Sequence, residues 1–183
     1  RYRWQAWPEK TEKGEKMMKL PTQKIENAID KNDSRYMLRG AYLDATNGEL
    51  IVTNGQILVK HIVKIDEGDV SGIIPLEAIE YARKVKAARI TTSAAYAYVN
   101  GAAFPLVDGT YPDYERVIPE SSEVTVVLDL TLLEKIRRAM FEKATPNSAC
   151  RVALHVTDPH SGVRVTPGDG GEEIAVIMPC RKS

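Results

Sequence analysis

Apolar positions along this chain alternate between two rhythms, a helical stripe and runs of period two, and the alternation recurs from Met17 onward. In the first pass Met17–Leu20 predicts a short strand. Thr22–Asp30 predicts a helix, with Thr22 as N-cap and Ile25, Ala28 and Ile29 on one face. Three strand-like runs follow, Tyr36–Ala45, Glu49–Thr53 and Ile57–Ile65. Asn47-Gly48 and Asn54-Gly55 lie between them, dipeptides that supply the positive φ of hairpin turns.

The order then repeats. Val70–Ile74 predicts a strand and Leu76–Ala88 a helix. Pro75 stands at the helix start, where a missing N–H costs little, and strands follow at Arg89–Thr92, Ala95–Val99 and Ala102–Val107. In the third pass Val124–Leu128 reads as a strand. Asp129 or Thr131 caps a helix running through Lys143, whose buried stripe is Leu132, Leu133, Ile136, Ala139 and Met140. Arg151–Thr157, Gly162–Thr166 and Glu173–Met178 complete the pass. The chain therefore reads as α+β, three β-α-β-β-β units with helices on one face of antiparallel sheets, joined near Asp66–Gly68 and Pro119–Ser122. One such unit cannot cover both its sheet edges, whereas two side by side make a two-layer domain. This divides the chain into an N-terminal arm over residues 1–16, a two-unit domain over 17–119 and a half domain over 120–183, whose single unit needs a partner from this chain or another.

Composition narrows the class. Hydrophobic residues make up 43% and charged residues 27% of the 183, the balance of a soluble, core-forming chain. Lys plus Arg equals Asp plus Glu at 25 each, so a basic surface requires local segregation of charge. Two cysteines, Cys150 and Cys180, are too few for a structural zinc site or a secreted disulfide scaffold. With no long apolar run and no secretory leader, a cytoplasmic protein is expected. His61, His155 and His160 lie on separate segments without metal-ligand spacing. Gly168-Asp169-Gly170-Gly171 is not followed by a helix, and Asp108 with Asp113 forms no convincing metal pair. No enzyme, no metal and no cofactor is expected.

Asp108-Gly109-Thr110-Tyr111-Pro112-Asp113-Tyr114-Glu115-Arg116-Val117-Ile118-Pro119 resembles the stretch that closes the middle domain of the DNA polymerase III beta subunit family, the bacterial sliding clamps. Three further runs match in order. Arg35-Tyr36-Met37-Leu38-Arg39-Gly40 resembles a strand of that domain. Thr53-Asn54-Gly55-Gln56-Ile57-Leu58-Val59 resembles its Thr-Asp-Gly-His-Arg-Leu-Ala turn, and Ala175-Val176-Ile177-Met178-Pro179-Cys180-Arg181 resembles the C-terminal tail. The resemblance implies the middle domain plus the second half of the last. Its departure is the absence of a counterpart to the first domain and to the first half of the third. A ring with the family's full number of units would take four such chains instead of two.

By the same resemblance, a pocket that receives short linear motifs of DNA polymerase or other replication and repair proteins would use Leu38, Thr53, Gly55, Gln56, Ile57, Leu58, Pro112, Arg116 and Val117. From the third unit it would add Asp129, Leu132, Gly162, Val176 and Met178. The residue types suit the task, since an apolar anchor needs aliphatic walls, and Met re-packs around varied partners. Arg116 can fix a carbonyl or carboxylate through its forked donors. The plain alternative is that these are core aliphatics and a surface charge. Asn54, Gln56 and Ile57 make the turn less charged than the family's, which implies a shifted motif preference.

Double-stranded DNA, held weakly and without sequence preference, is the second implied partner. Arg35, Tyr36, Arg83, Lys84, Lys86, Lys135, Arg137 and Arg138 are its candidate contacts. Glu77, Glu80, Glu134 and Glu142 dilute that face, so a solvated surface laced with i,i+4 pairs is the competing reading. The functional expectation is a clamp-like replication processivity factor, a homo-oligomer that encircles DNA. The alternatives are a non-encircling adaptor or decoy that captures clamp-binding motifs, and an interaction protein with a vestigial pocket.

Overall fold

The computed structural model describes residues 20–87, 89–119, 121–141 and 150–180. The expectations placed on the arm at residues 1–16 and on Met17–Lys19, Ala88, Glu142, Lys143 and Arg181 lie outside the described residues. The chain divides into two compact units, Arg1–Arg116 and Val117–Ser183.

In the first unit β1 (Gly40–Asp44), β2 (Glu49–Thr53) and β3 (Leu58–Ile62) form a meander. β4 (Gly72–Pro75) joins it and leads into α1 (Leu76–Lys84), giving an antiparallel sheet in the order β3-β2-β1-β4. β5 (Thr91–Thr92), β6 (Tyr96–Val99) and β7 (Ala102–Pro105) form a second sheet. Both Asn-Gly turns are present, with φ of +67° at Gly48 and +83° at Gly55, which only glycine adopts without cost. β4 belongs to the second repeat but pairs with β1 of the first, Gly40 opposite Pro75 and Leu43 opposite Gly72. The backbones approach so closely that a Cβ on Gly40 would meet the Ile74 carbonyl oxygen.

One core is shared by both repeats: Ala41, Leu43, Leu50 and Val52 from the first, and Ile74, Ala78, Ile79, Ala82, Ile90, Ala97 and Val99 from the second. On the other side of the β1–β2 sheet, Leu38, Ile51, Ile73, Tyr111 and Tyr114 form a second cluster, with Tyr42 stacked on Tyr111 at 5.1 Å. The closing stretch after β7 thus covers the sheet face opposite the helix.

In the second unit α2 (Leu130–Met140) lies on a three-stranded sheet of β8 (Val152–His155), β9 (Val163–Pro167) and β10 (Ala175–Ile177), in the order β10-β9-β8. Leu133, Ile136 and Met140 pack onto Val163, Val165 and Ile177. This unit repeats the second repeat of the first unit down to one backbone bond. There Val107 N–H donates to Ile73 O at 2.9 Å; here Cys180 N–H donates to Val127 O at 2.8 Å, and both acceptors lie three residues before a helix.

Several boundaries differ from the sequence expectation for local reasons. The first helix is a 3-10 turn, Ile25–Ala28, and Thr22 does not cap it. Asp30 and Asp33 carboxylates accept from Asn32 N–H and Arg35 N–H, competing with helix continuation. Tyr36–Leu38 is also 3-10 instead of strand, with Arg39 N–H donating to Tyr36 O. α1 stops at Lys84 because Lys86, at φ +52°, closes it in a Schellman arrangement: Ala87 N–H donates to Ala82 O and Lys86 N–H to Arg83 O. Val124–Leu128 forms no regular strand. On α2, Leu132 and Ala139 face solvent, so the packed stripe is narrower than expected.

Candidate functional site

The β2–β3 turn is fixed by side chains that absorb its backbone polar groups. Thr53 Oγ1 donates to Ile57 O at 2.6 Å and accepts from Gly55 N–H at 3.0 Å. Asn54 Oδ1 accepts from both Gln56 N–H and Ile57 N–H at 3.0 Å. The Arg35 guanidinium closes the turn from outside, donating to Asn54 O at 3.3 Å, and a Cβ on Gly55 would stand 2.6 Å from its Nη2. Asp33 holds Arg35 by two bonds, Nε to Oδ1 at 3.0 Å and Nη2 to Oδ2 at 2.8 Å. These bonds hold the Asp33 carboxyl down to about 2.

With its backbone satisfied, the turn presents Gln56 and a half-exposed Ile57 to solvent. Beneath it Leu58 packs on the cluster of Leu38, Ile51 and Tyr111. Leu38 is 1% exposed, so it supports this surface from below. Pro112 is exposed between buried Tyr111 and Tyr114, and Arg116 is exposed and paired with Asp113 at 2.7 Å. Pro112 also borders a recess of about 820 Å³ beside Tyr42 and Ile73. The tyrosine pair was missed by sequence reasoning, although both residues lie in the closing stretch. Tyr114 Oη donates to the Glu49 carboxylate at 3.0 Å, and Glu49 accepts from Lys60 Nζ at 2.7 Å. Burial pushes the Tyr111 hydroxyl up to about 12, and burial with the Glu49 contact pushes Tyr114 higher still. Asp33 and this tyrosine–carboxylate group carried no signal of their own in the sequence.

In the second unit Gly162, Val176 and Met178 come together. A Cβ on Gly162 would stand 2.8 Å from Val176 Cγ1 and 3.2 Å from Met178 Sδ, while both larger side chains remain mostly exposed. Met178 also borders a recess of about 800 Å³ with Val127, Pro159 and His160. Leu132 and Val117 are exposed. Asp129 is occupied as the α2 N-cap, accepting from Thr131 N–H and Oγ1 at 2.7 Å, and those bonds lower its carboxyl.

The candidate DNA contacts divide into two groups. Arg35, Arg83, Arg137 and Arg138 each hold a carboxylate: Asp33, Glu26 and, for the last two, Glu134. Glu134 is drawn down to about 2 by that pair of guanidiniums. Arg83 also donates to the carbonyls of Pro21 and Gln23. Lys84, Lys86 and Lys135 extend into solvent, and Tyr36, half exposed, lies over Gly109.

No protein-family model matches the chain, and no curated protein does. Solved structures match over most of it. A beta sliding clamp from C. crescentus superposes with a TM-score of 0.67 at 23% identity, over 84% of this chain and 45% of that one. The DNA polymerase III subunit beta clamp from Bartonella birtlesii, bound to griselimycin, gives 0.68 at 20%, over 97% and 55%. A DNA polymerase sliding clamp from Bacillus subtilis gives 0.65 at 17%, over 96% and 52%. This chain has the sliding-clamp fold. It spans about half the length of these clamps. Among the described residues no helix is long and apolar enough to cross a membrane.

Proposed function

We propose that this chain is a non-enzymatic, clamp-like tether of DNA replication that captures short linear motifs of a polymerase or another replication or repair protein. The observation that carries the reading is the β2–β3 turn, whose backbone is saturated internally so that Ile57 and Gln56 remain available above an apolar cluster. A preorganised apolar surface with few polar groups fits a peptide anchor at small entropic cost. The Gly162–Val176–Met178 edge offers a second aliphatic surface, and Arg116 a cation for a peptide carbonyl or carboxylate. Thr53, Gly55, Leu38, Leu58 and Asp129 act beneath these surfaces, by shaping them.

For DNA, Lys84, Lys86 and Lys135 are the cations best placed to meet phosphates. The carboxylates that hold Arg35, Arg83, Arg137 and Arg138 favour the second reading, an adaptor that binds motifs without encircling DNA. The test is fluorescence polarisation with a labelled peptide beginning in Gln and ending in apolar residues, with apolar variants of it, and with griselimycin as competitor. The reading predicts saturable binding that Ile57→Asp weakens at least tenfold. Absence of binding by every peptide would refute it.

A further inference from the structure

The second unit is a single repeat, and the first unit shows what a repeat of this kind requires. Pro21, Pro75 and Asp129 precede the three helical segments at equal spacing along the chain, and the following positions correspond. Ile25, Ile79 and Leu133 align, as do Ala28, Ala82 and Ile136, and all six belong to apolar cores. In the first unit the two repeats cover each other. The helix-facing residues of or just before the first strand after the helical segment, Ala41 and Leu43 in one repeat and Ile90 ahead of β5 in the other, are 0% exposed. In the second unit the same face of β8 carries Leu154, opposite buried Val165, and Val156 follows just past the strand end; these are 44% and 42% exposed. Ala78 on α1 is fully buried, whereas its equivalent Leu132 is exposed. Among the described residues β8 is an edge strand, and it has no Lys or Pro to block pairing.

The charges point to the occupant. Arg83 of α1 joins the repeats by crossing to Glu26 at 3.3 Å and to the Pro21 and Gln23 carbonyls. Five residues after Pro21 stands Glu26, and five after Asp129 stands Glu134. Eight after Pro75 stands Arg83, and eight after Asp129 stands Arg137. α2 therefore carries both halves of a joint that the first unit distributes over two repeats. Within one chain the two halves meet each other, Arg137 Nε to Glu134 Oε2 at 2.7 Å.

We infer that the partner of this half domain is a second copy of the same chain. Two half domains pair about a twofold axis into one complete two-repeat domain, each β8 receiving the partner's segment 126–129 as β1 receives β4. Each Arg137 then exchanges its own Glu134 for the partner's Glu134. The interface is isologous, so each apolar face and each ion pair occurs twice. This inference is independent of the peptide-binding reading, since it uses neither the β2–β3 turn nor the Val176–Met178 edge.

The test uses the full chain and multi-angle light scattering across a concentration series, with far-UV circular dichroism on every variant. The parent should contain paired chains at micromolar concentration, and Leu154→Arg should halve its mass. Glu134→Arg and Arg137→Glu should each raise the dissociation constant of self-association at least tenfold. Mixed in equal amounts, the two should recover a hetero-pair, because Arg137 of one faces the partner's Glu134 and the introduced charges also face each other. A joint confined to one helix gains nothing from mixing, since each chain keeps its like-charged pair. A parent that stays a single chain, a folded Leu154→Arg chain of unchanged mass, or charge variants that do not pair on mixing would overturn the inference.

Discussion

Removing the Arg83 side chain tests whether this cation serves the fold or a nucleic-acid surface. Arg83→Ala deletes the pair with Glu26 and two bonds to main-chain carbonyls that sit in the first repeat, while α1 belongs to the second. A hydrogen bond to a charged group is worth about 1.5–3 kcal/mol, less where water can replace the lost donor. Arg83 and Glu26 are both mostly buried, so full replacement by water is excluded; the Gln23 bond is the more exposed. We therefore expect a loss of about 2–4 kcal/mol, a large share of the ~5–15 kcal/mol that holds a domain of this size together. At ~4–8 °C per kcal/mol the melting transition should fall by roughly 10–25 °C. Arg83→Lys should recover at most half, since an ammonium cannot span three acceptors arranged for a fork. Urea unfolding followed by far-UV circular dichroism measures the effect. A variant within about 0.5 kcal/mol of the parent would refute the structural role, and if such a variant also lost DNA retention, Arg83 would return to the phosphate-binding set.

Other expectations follow from individual contacts. Lys86→Gly should stabilise the first unit by up to about 1 kcal/mol, because Lys86 holds the left-handed position that ends α1; a melting scan that fell would show that Lys86 makes a compensating contact. Tyr111 ionises only near about 12 in the folded chain, against about 10 when unfolded. Since its folded value is raised, its contribution is fully present below pH 10 and is lost as pH climbs to 12, with Tyr114 acting in the same direction. Urea midpoints that stayed flat from pH 9 to 12 would contradict this. Lys84→Ala and Lys135→Ala should each lower the slope of log K against log salt for duplex DNA by about one, uniformly across sequences. Unchanged slopes would remove both from the DNA surface.

Much of the architecture was legible because it rests on local signals. Asn47-Gly48 and Asn54-Gly55 demand positive φ, and the apolar β-branched run inside Glu49–Thr53, bounded by those turns, gave that strand to the residue. A cap at Asp129 or Thr131 was readable from their place before an apolar stripe, and Asp129 takes it. What escaped was decided by competition or by distance. Asp30 and Asp33 divert backbone donors from a helix that periodicity alone predicts through Asp30. The burial of Leu38, the crossing of Arg83 to Glu26 and the stacking of Tyr42 on Tyr111 join residues far apart in the chain, and no spacing encodes them. The same holds for the site. Its turn could be located from the motif around Asn54-Gly55. That Ile57 would be presented and Leu38 withdrawn depends on which face of the β1–β2 sheet the closing stretch covers.

The central claim, that this clamp fold captures a linear motif on the two named surfaces, is tested most directly by hydrogen exchange with and without saturating peptide. The account predicts slowed exchange at residues 54–58 and 175–178, with β4, β6 and the α1 interior unchanged. Slowed exchange confined to other segments, or none at a peptide concentration that saturates polarisation, would contradict it.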